Sequence, residues 1–262
     1  MKEIVRLLRA VKRAHEDGHD TVWIITGMEG MGKSNLLLDI IDSWGRLVGI
    51  RFTIETVGLT PAQWVNAIST SPERYGVPSF DEAGDGLLSR DAMADFNKDV
   101  IKMYTVIRGK GLFTILVLPS FWYLDKFFRM HRVKGLFYVY GRGRVAFWNR
   151  RQIKIMTMRG EDQQDVWCVR PSLRDRFPLY KGELLEDYQR LKKDKIAQTI
   201  QAMREKYVGG EESLTEIQAE VLEWKRKGLK GREIAEQLRM SGAAVSQHLK
   251  AIKSKGVEVP KA

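Results

Sequence analysis

The chain has 262 residues, of which 44% are hydrophobic, and it carries a formal net charge of +11. This length fits one large domain, or one domain with a small additional module. No apolar run approaches the roughly 20 residues of a membrane helix, and the N-terminus has no signal-peptide segment, so we expect a cytoplasmic protein without a membrane span. The single cysteine, Cys168, excludes an internal disulfide framework and a cysteine-cluster metal site.

The positive charge is concentrated between residues 100 and 160. This span contains thirteen lysines and arginines but only one acidic residue, Asp125, so its excess accounts for about the whole net charge. Such clustering favours a polyanionic partner, with a merely solubilising basic surface as the alternative. We expect this surface to bind the phosphates of DNA. The residues predicted to contact DNA there are Arg142, Arg144, Arg150 and Arg151.

The first predicted elements lead to a glycine-rich motif. Residues 1–18 are predicted to form an amphipathic helix, and an apolar, β-branched strand follows at 21–26. That strand runs into G-x-x-x-x-G-K-S at Gly27–Ser34, and a helical pattern begins at Asn35. This strand–loop–helix setting is typical of a phosphate-binding loop, because the glycines let successive N–H groups point into one anion-sized cavity. A chance glycine-rich turn is the alternative.

The residues of this loop have separate expected roles. Lys33 would reach the β- and γ-phosphates of a nucleotide, and the Ser34 hydroxyl would ligate Mg²⁺. We therefore predict that the chain binds ATP with Mg²⁺. The predicted nucleotide contacts are Gly27, Met28, Glu29, Gly30, Met31, Gly32, Lys33, Ser34 and Asn35.

Two acidic residues follow a later apolar segment. A strand is predicted at 51–57 and a helix from Thr60–Pro61, after which residues 77–80 lead to Asp81 and Glu82. In a phosphate-loop fold, an acidic residue at the carboxyl end of a strand lies beside the loop. Asp81 would hold Mg²⁺, directly or through water, and Glu82 would orient or deprotonate the attacking water. A solvated surface turn is the alternative.

The rest of the first domain, residues 1–180, continues to alternate between helices and strands. We predict a helix at 91–107, a strand buried on both faces at 112–118, a helix at 121–132, a strand at 136–140 and a hairpin over 145–158. This alternation indicates an α/β fold with a doubly wound sheet.

The order of the motifs resembles that of the additional-strand P-loop ATPases. The resemblance rests on Gly27–Ser34, then Asp81-Glu82-Ala83, then Val106–Leu112 before the buried strand, and it covers about residues 20–160. Within that class the chain is most similar to the FtsK/HerA division, which includes viral packaging motors and zonula-occludens-toxin-like phage proteins. The resemblance implies a P-loop NTPase fold with a mostly parallel, RecA-like sheet.

The resemblance also implies a γ-phosphate sensor and an arginine supplied across a subunit interface. The division usually ends its fourth strand with glutamine, whereas this chain has Pro119-Ser120, and Ser120 is the candidate sensor. Arg108 lies in the place of the arginine, with Arg129 and Arg132 as alternatives, and a guanidinium suits this role because it can bond two phosphoryl oxygens at once. We therefore expect a homo-oligomer such as a ring.

A helical linker at 181–212 leads to a second domain at 213–262. Glycines 209 and 210 mark the boundary between them. Two helical segments, Arg232–Leu238 and Met240–Leu249, resemble the helix-turn-helix of LuxR-type regulators and sigma-factor DNA-binding regions. We expect Ser241 to cap the recognition helix, and the predicted core residues are Ile234, Leu238, Val245 and Leu249.

The recognition helix is expected to lie in the major groove of DNA. Ala243, Ser246 and Gln247 would face base edges, and Gln247 could bond adenine through two hydrogen bonds. Lys250 and Lys253 would neutralise phosphates. A three-helix protein-docking domain is the alternative.

These features predict a DNA-binding ATPase in which hydrolysis with Mg²⁺ drives DNA engagement or translocation, as in a viral or plasmid DNA-packaging or replication motor. The first alternative is an ATP-gated replication initiator or transcriptional regulator, in which ATP controls assembly on a specific DNA site. The second is an ATPase whose C-terminal helices dock another protein.

Overall fold

The structure is a computed structural model that describes residues 2–81, 98, 107–207 and 214–260. The chain divides into two compact units, residues 1–192 and residues 193–262. Within the described ranges, no helix is both long enough and apolar enough to cross a membrane.

A seven-stranded sheet forms the centre of the first unit. Its strands are β1 (Thr21–Gly27), β2 (Val57–Gly58), β3 (Ser79–Asp81), β4 (Phe113–Val117), β5 (Val133–Gly141), β6 (Arg144–Asn149) and β7 (Leu173–Arg176). They lie in the order β2-β3-β4-β1-β5-β6-β7. The five strands β2, β3, β4, β1 and β5 are parallel. β6 pairs antiparallel with β5, and β7 pairs antiparallel with β6. The carboxyl ends of β1, β3 and β4 therefore meet at one edge of the sheet, where α/β proteins bind their ligands.

Helices cover both faces of this sheet. They are α1 (Lys2–Glu16), α2 (Lys33–Val48), α3 (Pro61–Thr70), α4 (Lys126–His131), α5 (Arg150–Arg159) and α6 (Leu184–Tyr207). One core lies between the sheet and α1, α2 and the first turns of α6, and the other lies between the sheet and α3, α4 and α5. Trp23 and Ile24 are consecutive in β1 yet belong to opposite cores, as expected for a strand buried on both faces. The buried strand predicted at 112–118 is present as β4.

The predicted hairpin over 145–158 is wrong. Residues 144–149 form β6, but Arg150–Arg159 is helical. The side chain of Asn149 accepts a hydrogen bond from the backbone N–H of Gln152, and the side chain of Gln152 accepts one from the N–H of Asn149. This reciprocal cap starts a helix where we expected a turn. The hairpin lies one element earlier, between β5 and β6, with Gly143 at φ 66° in its turn.

Several other elements are shorter than predicted. Of the strand expected at 51–57, only Val57–Gly58 pairs in the sheet, because Ile54–Thr56 forms a 3-10 turn. The helix expected at 121–132 is a 3-10 turn followed by α4, which Asp125 caps by accepting hydrogen bonds from two backbone N–H groups. Most of the helix expected at 91–107 lies outside the described residues.

The second unit contains a three-helix cluster. Its helices are α7 (Glu216–Arg226), α8 (Gly231–Gln237) and α9 (Gly242–Ser254). Thr215 and Gln218 form a reciprocal cap at the start of α7. The buried core of the cluster is Val221, Leu222, Ile234, Ala235, Val245, Ile252 and Val257, and the predicted core residues Leu238 and Leu249 pack against it while partly exposed.

A buried histidine links the stability of the first unit to pH. His15 is 1% exposed, and its Nδ1 donates a hydrogen bond to the carbonyl oxygen of Arg74 at 2.5 Å. Burial lowers the pKa of His15 from its ordinary value, an effect that the Arg74 carbonyl partly offsets. The unfolded chain therefore takes up a proton before the folded chain does as pH falls.

We expect the first unit to lose stability as pH falls from about 7.5 to about 5.5, because His15 contributes stability above its unfolded pKa and loses it below. Urea unfolding at the two pH values measures this loss. His15→Gln should reduce the loss, whereas His19→Gln, which alters an exposed histidine, should leave it unchanged. An equal pH effect in wild type and His15→Gln would show that another group is responsible.

Candidate functional site

The loop after β1 has the backbone shape that an anion requires. Gly27, Gly30 and Gly32 have φ values of 140°, 71° and 97°, which other residue types rarely adopt. Gly32 precedes α2 and no side chain caps that helix. The first N–H groups of α2 are thus directed at the loop, and together with the helix dipole they favour a bound anion.

Lys33 bends back over this loop. Its Nζ donates hydrogen bonds to the carbonyl oxygens of Gly27 at 2.7 Å and Met28 at 3.2 Å. The ammonium group therefore lies on the concave side of the loop, where it would meet phosphate oxygens.

Asp81 lies at the carboxyl end of β3, and it faces the same cleft as the loop. The cleft has a volume of about 660 Å³ and is lined by loop residues, Asp81, Pro119 and the start of α6. Asp81 itself is only 2% exposed. The structure thus brings Asp81 to Lys33 and Ser34, although Asp81 follows Ser34 by 47 residues in sequence. The other predicted acid, Glu82, lies outside the described residues.

Tyr188 of α6 connects the two predicted metal ligands. Its hydroxyl donates a hydrogen bond to Asp81 Oδ2 at 2.6 Å, and the side chain of Ser34 lies beside that hydroxyl. Burial, followed by the charge of Asp81, raises the pKa of Tyr188, so the hydroxyl stays protonated. Ser34 and Asp81 are therefore within reach of one oxygen atom. A hydroxyl and a carboxylate that line the same cleft supply the oxygen ligands that Mg²⁺ prefers.

Sequence reasoning missed the contribution of α6 to this cleft. Tyr188, Gln189 and Lys192 all line it, although their helix follows β3 by about a hundred residues. The available signal was the apolar stripe of residues 184–191, in which Tyr188 is the one member with a polar tip. The packing partner of such a hydroxyl could not be inferred from periodicity.

A second cleft, of about 380 Å³, also borders the loop. Its lining includes Gly30, Gly32, Asn35 and Phe177, together with Arg142 from the turn between β5 and β6. Phe177 lies 3.6 Å from the position that a Cβ at Gly32 would take. Arg142 was predicted to contact DNA, and its position beside the loop also allows it to contact a nucleotide.

Ser120 lies just after β4, close to the same edge of the sheet. Its hydroxyl accepts a hydrogen bond from the backbone N–H of Trp122 at 3.2 Å and starts a 3-10 turn. Thr26 of β1 donates a hydrogen bond from Oγ1 to the carbonyl oxygen of Pro119 at 3.0 Å. The segment that carries Ser120 is thereby tied to the strand that carries the loop.

The three candidate arginines occupy different environments. Arg129 is 4% exposed, donates to Glu161 at 2.6 Å and stacks on the rings of Phe121 and Trp122. This burial argues against Arg129 acting in a neighbouring subunit. Arg132 is partly buried and lies 3.9 Å from Asp20. The backbone of Arg108 is in the 3-10 turn Ile107–Lys110, and its side chain is outside the described part of the structure.

The other basic residues predicted to contact DNA are exposed. Arg144 begins β6, while Arg150 and Arg151 lie in the first turn of α5. Their positive charges are therefore accessible to solvent, as contacts with DNA phosphates require.

The predicted reading face of the second unit is continuous. Ala243, Ser246, Gln247, Lys250 and Lys253 are all exposed, whereas Val245 and Ile252 between them are buried. The exposed residues follow the helical spacing and therefore share one side of α9. Ser241 caps this helix as predicted, accepting a hydrogen bond from the N–H of Ala244 at 3.1 Å.

Sequence reasoning also missed two basic residues beside this face. Lys230 and Arg232 at the start of α8 are exposed, and they line a cleft of about 520 Å³ with Gly242 and Ser246 of α9. They are candidates for phosphate contacts next to the recognition helix. Their proximity depends on how α8 and α9 pack, which the pattern of either helix alone does not give.

Comparison with known proteins gives a family match in the second unit. Neither the curated proteins nor the solved structures contain a match to the chain. The family model described as "GerE: Bacterial regulatory proteins, luxR family" matches residues 212–255. The predicted LuxR-type helix-turn-helix is therefore confirmed, and it implies that the C-terminal unit binds DNA.

Proposed function

We propose that the chain is a DNA-binding ATPase that uses Mg²⁺ to hydrolyse ATP. The observation that carries the proposal is the convergence of Lys33, Ser34 and Asp81 on one cleft, in a chain that ends in a LuxR-type helix-turn-helix. ATP hydrolysis would serve DNA engagement or translocation, as in a DNA-packaging or replication motor of a virus or plasmid.

The strand order supports this proposal. β4 lies between β1, which carries the loop, and β3, which carries Asp81. Such an inserted strand is what the resemblance to the additional-strand P-loop ATPases leads us to expect. The parallel pairing of β1, β3 and β4 brings their carboxyl ends, and hence the proposed catalytic residues, to one edge.

The residues of the cleft would divide the work of phosphoryl transfer. The loop amides and Lys33 would hold the phosphates and balance their charge. Ser34 and Asp81 would hold Mg²⁺, which neutralises the charge on the β- and γ-phosphate oxygens. Glu82 would orient the attacking water, and Ser120 would contact the γ-phosphate.

The proposed assembly is a homo-oligomer, such as a ring, in which Arg108 or Arg132 reaches the site of a neighbouring subunit. Arg129 is buried and paired with Glu161, which leaves these two as the candidates. A guanidinium placed there would stabilise charge on the transferring phosphoryl group.

The direct test is ATP turnover by the full chain with Mg²⁺, measured with and without duplex DNA. We expect hydrolysis that DNA stimulates and that chelation of Mg²⁺ abolishes. Binding of DNA with no ATP binding under any condition would contradict the proposal.

A second candidate function is an ATP-gated initiator or regulator, and the luxR-family match favours it specifically, because that family consists of regulatory proteins. Here ATP binding would control assembly on one DNA site, and turnover would be incidental. Footprinting on long DNA distinguishes the two functions. Protection of one site indicates an ATP-gated initiator or regulator, whereas binding along the whole DNA indicates a motor.

We expect Lys250→Ala combined with Lys253→Ala to weaken binding to all DNA sequences. Both residues lie on the exposed face of α9. The loss of two phosphate contacts should make the slope of log affinity against log salt shallower by about two. Gel shifts at several salt concentrations measure this slope. Lys227→Ala is the control, because Lys227 already donates to Glu223 at 2.6 Å, and an equal effect in the control would contradict the assignment.

A further inference from the structure

Tyr188 makes its contacts with the two residues assigned to Mg²⁺. The hydroxyl donates to Asp81 Oδ2 at 2.6 Å, and the side chain of Ser34 lies beside it. Tyr188 is 5% exposed, and Asp81 is 2% exposed. The hydrogen bond between Tyr188 and Asp81 is therefore buried in the protein and is not a contact between mobile surface side chains.

The same oxygen atoms cannot serve the tyrosine and the metal equally well. Mg²⁺ requires short bonds to oxygen lone pairs in near-ideal octahedral geometry. A phenol proton directed at Asp81 Oδ2 uses one of those lone pairs, and the hydroxyl stands between the carboxylate and Ser34. Metal binding at these two side chains thus competes with the hydrogen bond from Tyr188 to Asp81.

Because Tyr188 belongs to α6, loss of its hydrogen bond to Asp81 would affect the part of this helix that lines the cleft. Leu184 and Tyr188 are buried in the core beneath the sheet, with Leu185 and Leu191 packed against it. Gln189 and Lys192 line the cleft on the same stretch of helix. Residues 184–192 therefore form one wall of the cleft. Tyr188, near the middle of this stretch, joins the wall to the proposed metal ligand Asp81 through its hydrogen bond.

We propose that Tyr188 holds Asp81 beside Ser34 when no Mg²⁺ is bound and releases it when Mg²⁺ enters with the triphosphate, so that the first turns of α6 loosen in response to the metal–nucleotide complex. This inference rests on the proposed function, since it requires nucleotide binding at the loop. α6 is also the element through which the chain leaves the first unit at residue 192, so a displacement at Tyr188 occurs on the connection to the DNA-binding unit.

The first test is Tyr188→Phe, which removes the hydroxyl and keeps the ring in the core. A fluorescent, non-hydrolysable ATP analogue is titrated into the full-length protein at a series of Mg²⁺ concentrations. A hydrogen bond to a charged group contributes enough that its loss should lower the half-maximal Mg²⁺ concentration by about tenfold. Affinity for the analogue in EDTA should not change.

Tyr180→Phe is the matched control, because Tyr180 is a buried tyrosine of the same core just before α6. It should keep the wild-type Mg²⁺ requirement. Thermal unfolding followed by circular dichroism checks that both variants are folded. An unchanged Mg²⁺ requirement in Tyr188→Phe overturns the proposal, and a higher one overturns it too, because it would make Tyr188 a support for the metal.

Hydrogen exchange provides a readout that is independent of affinity. In wild type, amides of residues 184–192 should exchange faster with analogue and Mg²⁺ than with analogue and EDTA. In Tyr188→Phe this difference should disappear, because the helix is already released. Equal exchange in wild type with and without Mg²⁺ overturns the proposal. Absence of analogue binding in both proteins would instead contradict the proposed ATPase function itself.

Discussion

Lys33→Ala is expected to lower ATP hydrolysis by at least about a hundredfold, the usual cost of removing one group that stabilises transition-state charge. Lys33 is the first residue of α2, and its Nζ lies 2.7 Å from the carbonyl oxygen of Gly27, on the concave side of the loop. No other residue assigned to the loop carries a positive charge. The variant would lose the cation that balances the β- and γ-phosphates.

Phosphate release and binding of a fluorescent ATP analogue are to be measured together. Lys12→Ala is the control, because Lys12 donates to the carbonyl of Leu47 in the last turn of α2, at the opposite end of that helix from the loop. Glu82→Gln should bind ATP but hydrolyse it slowly, which separates binding from water activation. Normal turnover in Lys33→Ala would exclude the loop as the hydrolytic site, and normal turnover in Glu82→Gln would exclude Glu82 as the base.

Local patterns predicted the parts of the proposed nucleotide site that depend on short stretches of chain. The loop at Gly27–Ser34 is defined by glycine spacing between a strand and a helix, and all of these signals are adjacent in sequence. Asp81 was found because parallel strands present their carboxyl ends at one edge. The neighbours of these residues across the cleft were not found, since the contact of Tyr188 with Asp81 spans 107 residues.

The failed hairpin shows how a local cap can override strand propensity. Residues 152–156 alternate in polarity and include β-branched residues, which favours a strand. The reciprocal hydrogen bonds of Asn149 and Gln152 satisfy the free N–H groups of a helical start. Ile153 and Met156 then bury one side of α5 against the sheet. A strand would bury Ile153 together with Ile155, whereas the helix buries Ile153 together with Met156. All three side chains are apolar, so alternation alone could not decide between the two.

The helix-turn-helix was more predictable because its signals are nearly all local. The spacing of Val245 and Ile252 fixes which side of α9 is buried and thereby exposes the five residues assigned to DNA. Ser241 marks the start of the helix by its capping preference. Lys230 and Arg232 were not predicted to contact DNA, because only the packing of α8 against α9 places them beside Ser246.

Gly27→Ala is expected to destabilise the first unit by at least about 3 kcal/mol, from overpacking combined with backbone strain. A Cβ at Gly27 would lie 2.3 Å from the carbonyl oxygen of Val139, and the φ of 140° is unfavourable for alanine. Val139 is paired with Gly27 in the central strands β1 and β5, so neither backbone can move away cheaply. Gly27 is thus required by the sheet as well as by the loop.

Gly30→Ala is the matched comparison within the same loop. Its φ of 71° is also left-handed, but no atom lies within 4 Å of the added Cβ, so the cost should be about 1 kcal/mol. Urea unfolding of both variants, with affinity for an ATP analogue measured on the folded protein, separates the two roles of glycine. Equal destabilisation by the two substitutions would mean that the close approach of β5 does not restrict Gly27, and that backbone conformation alone sets the requirement for glycine in this loop.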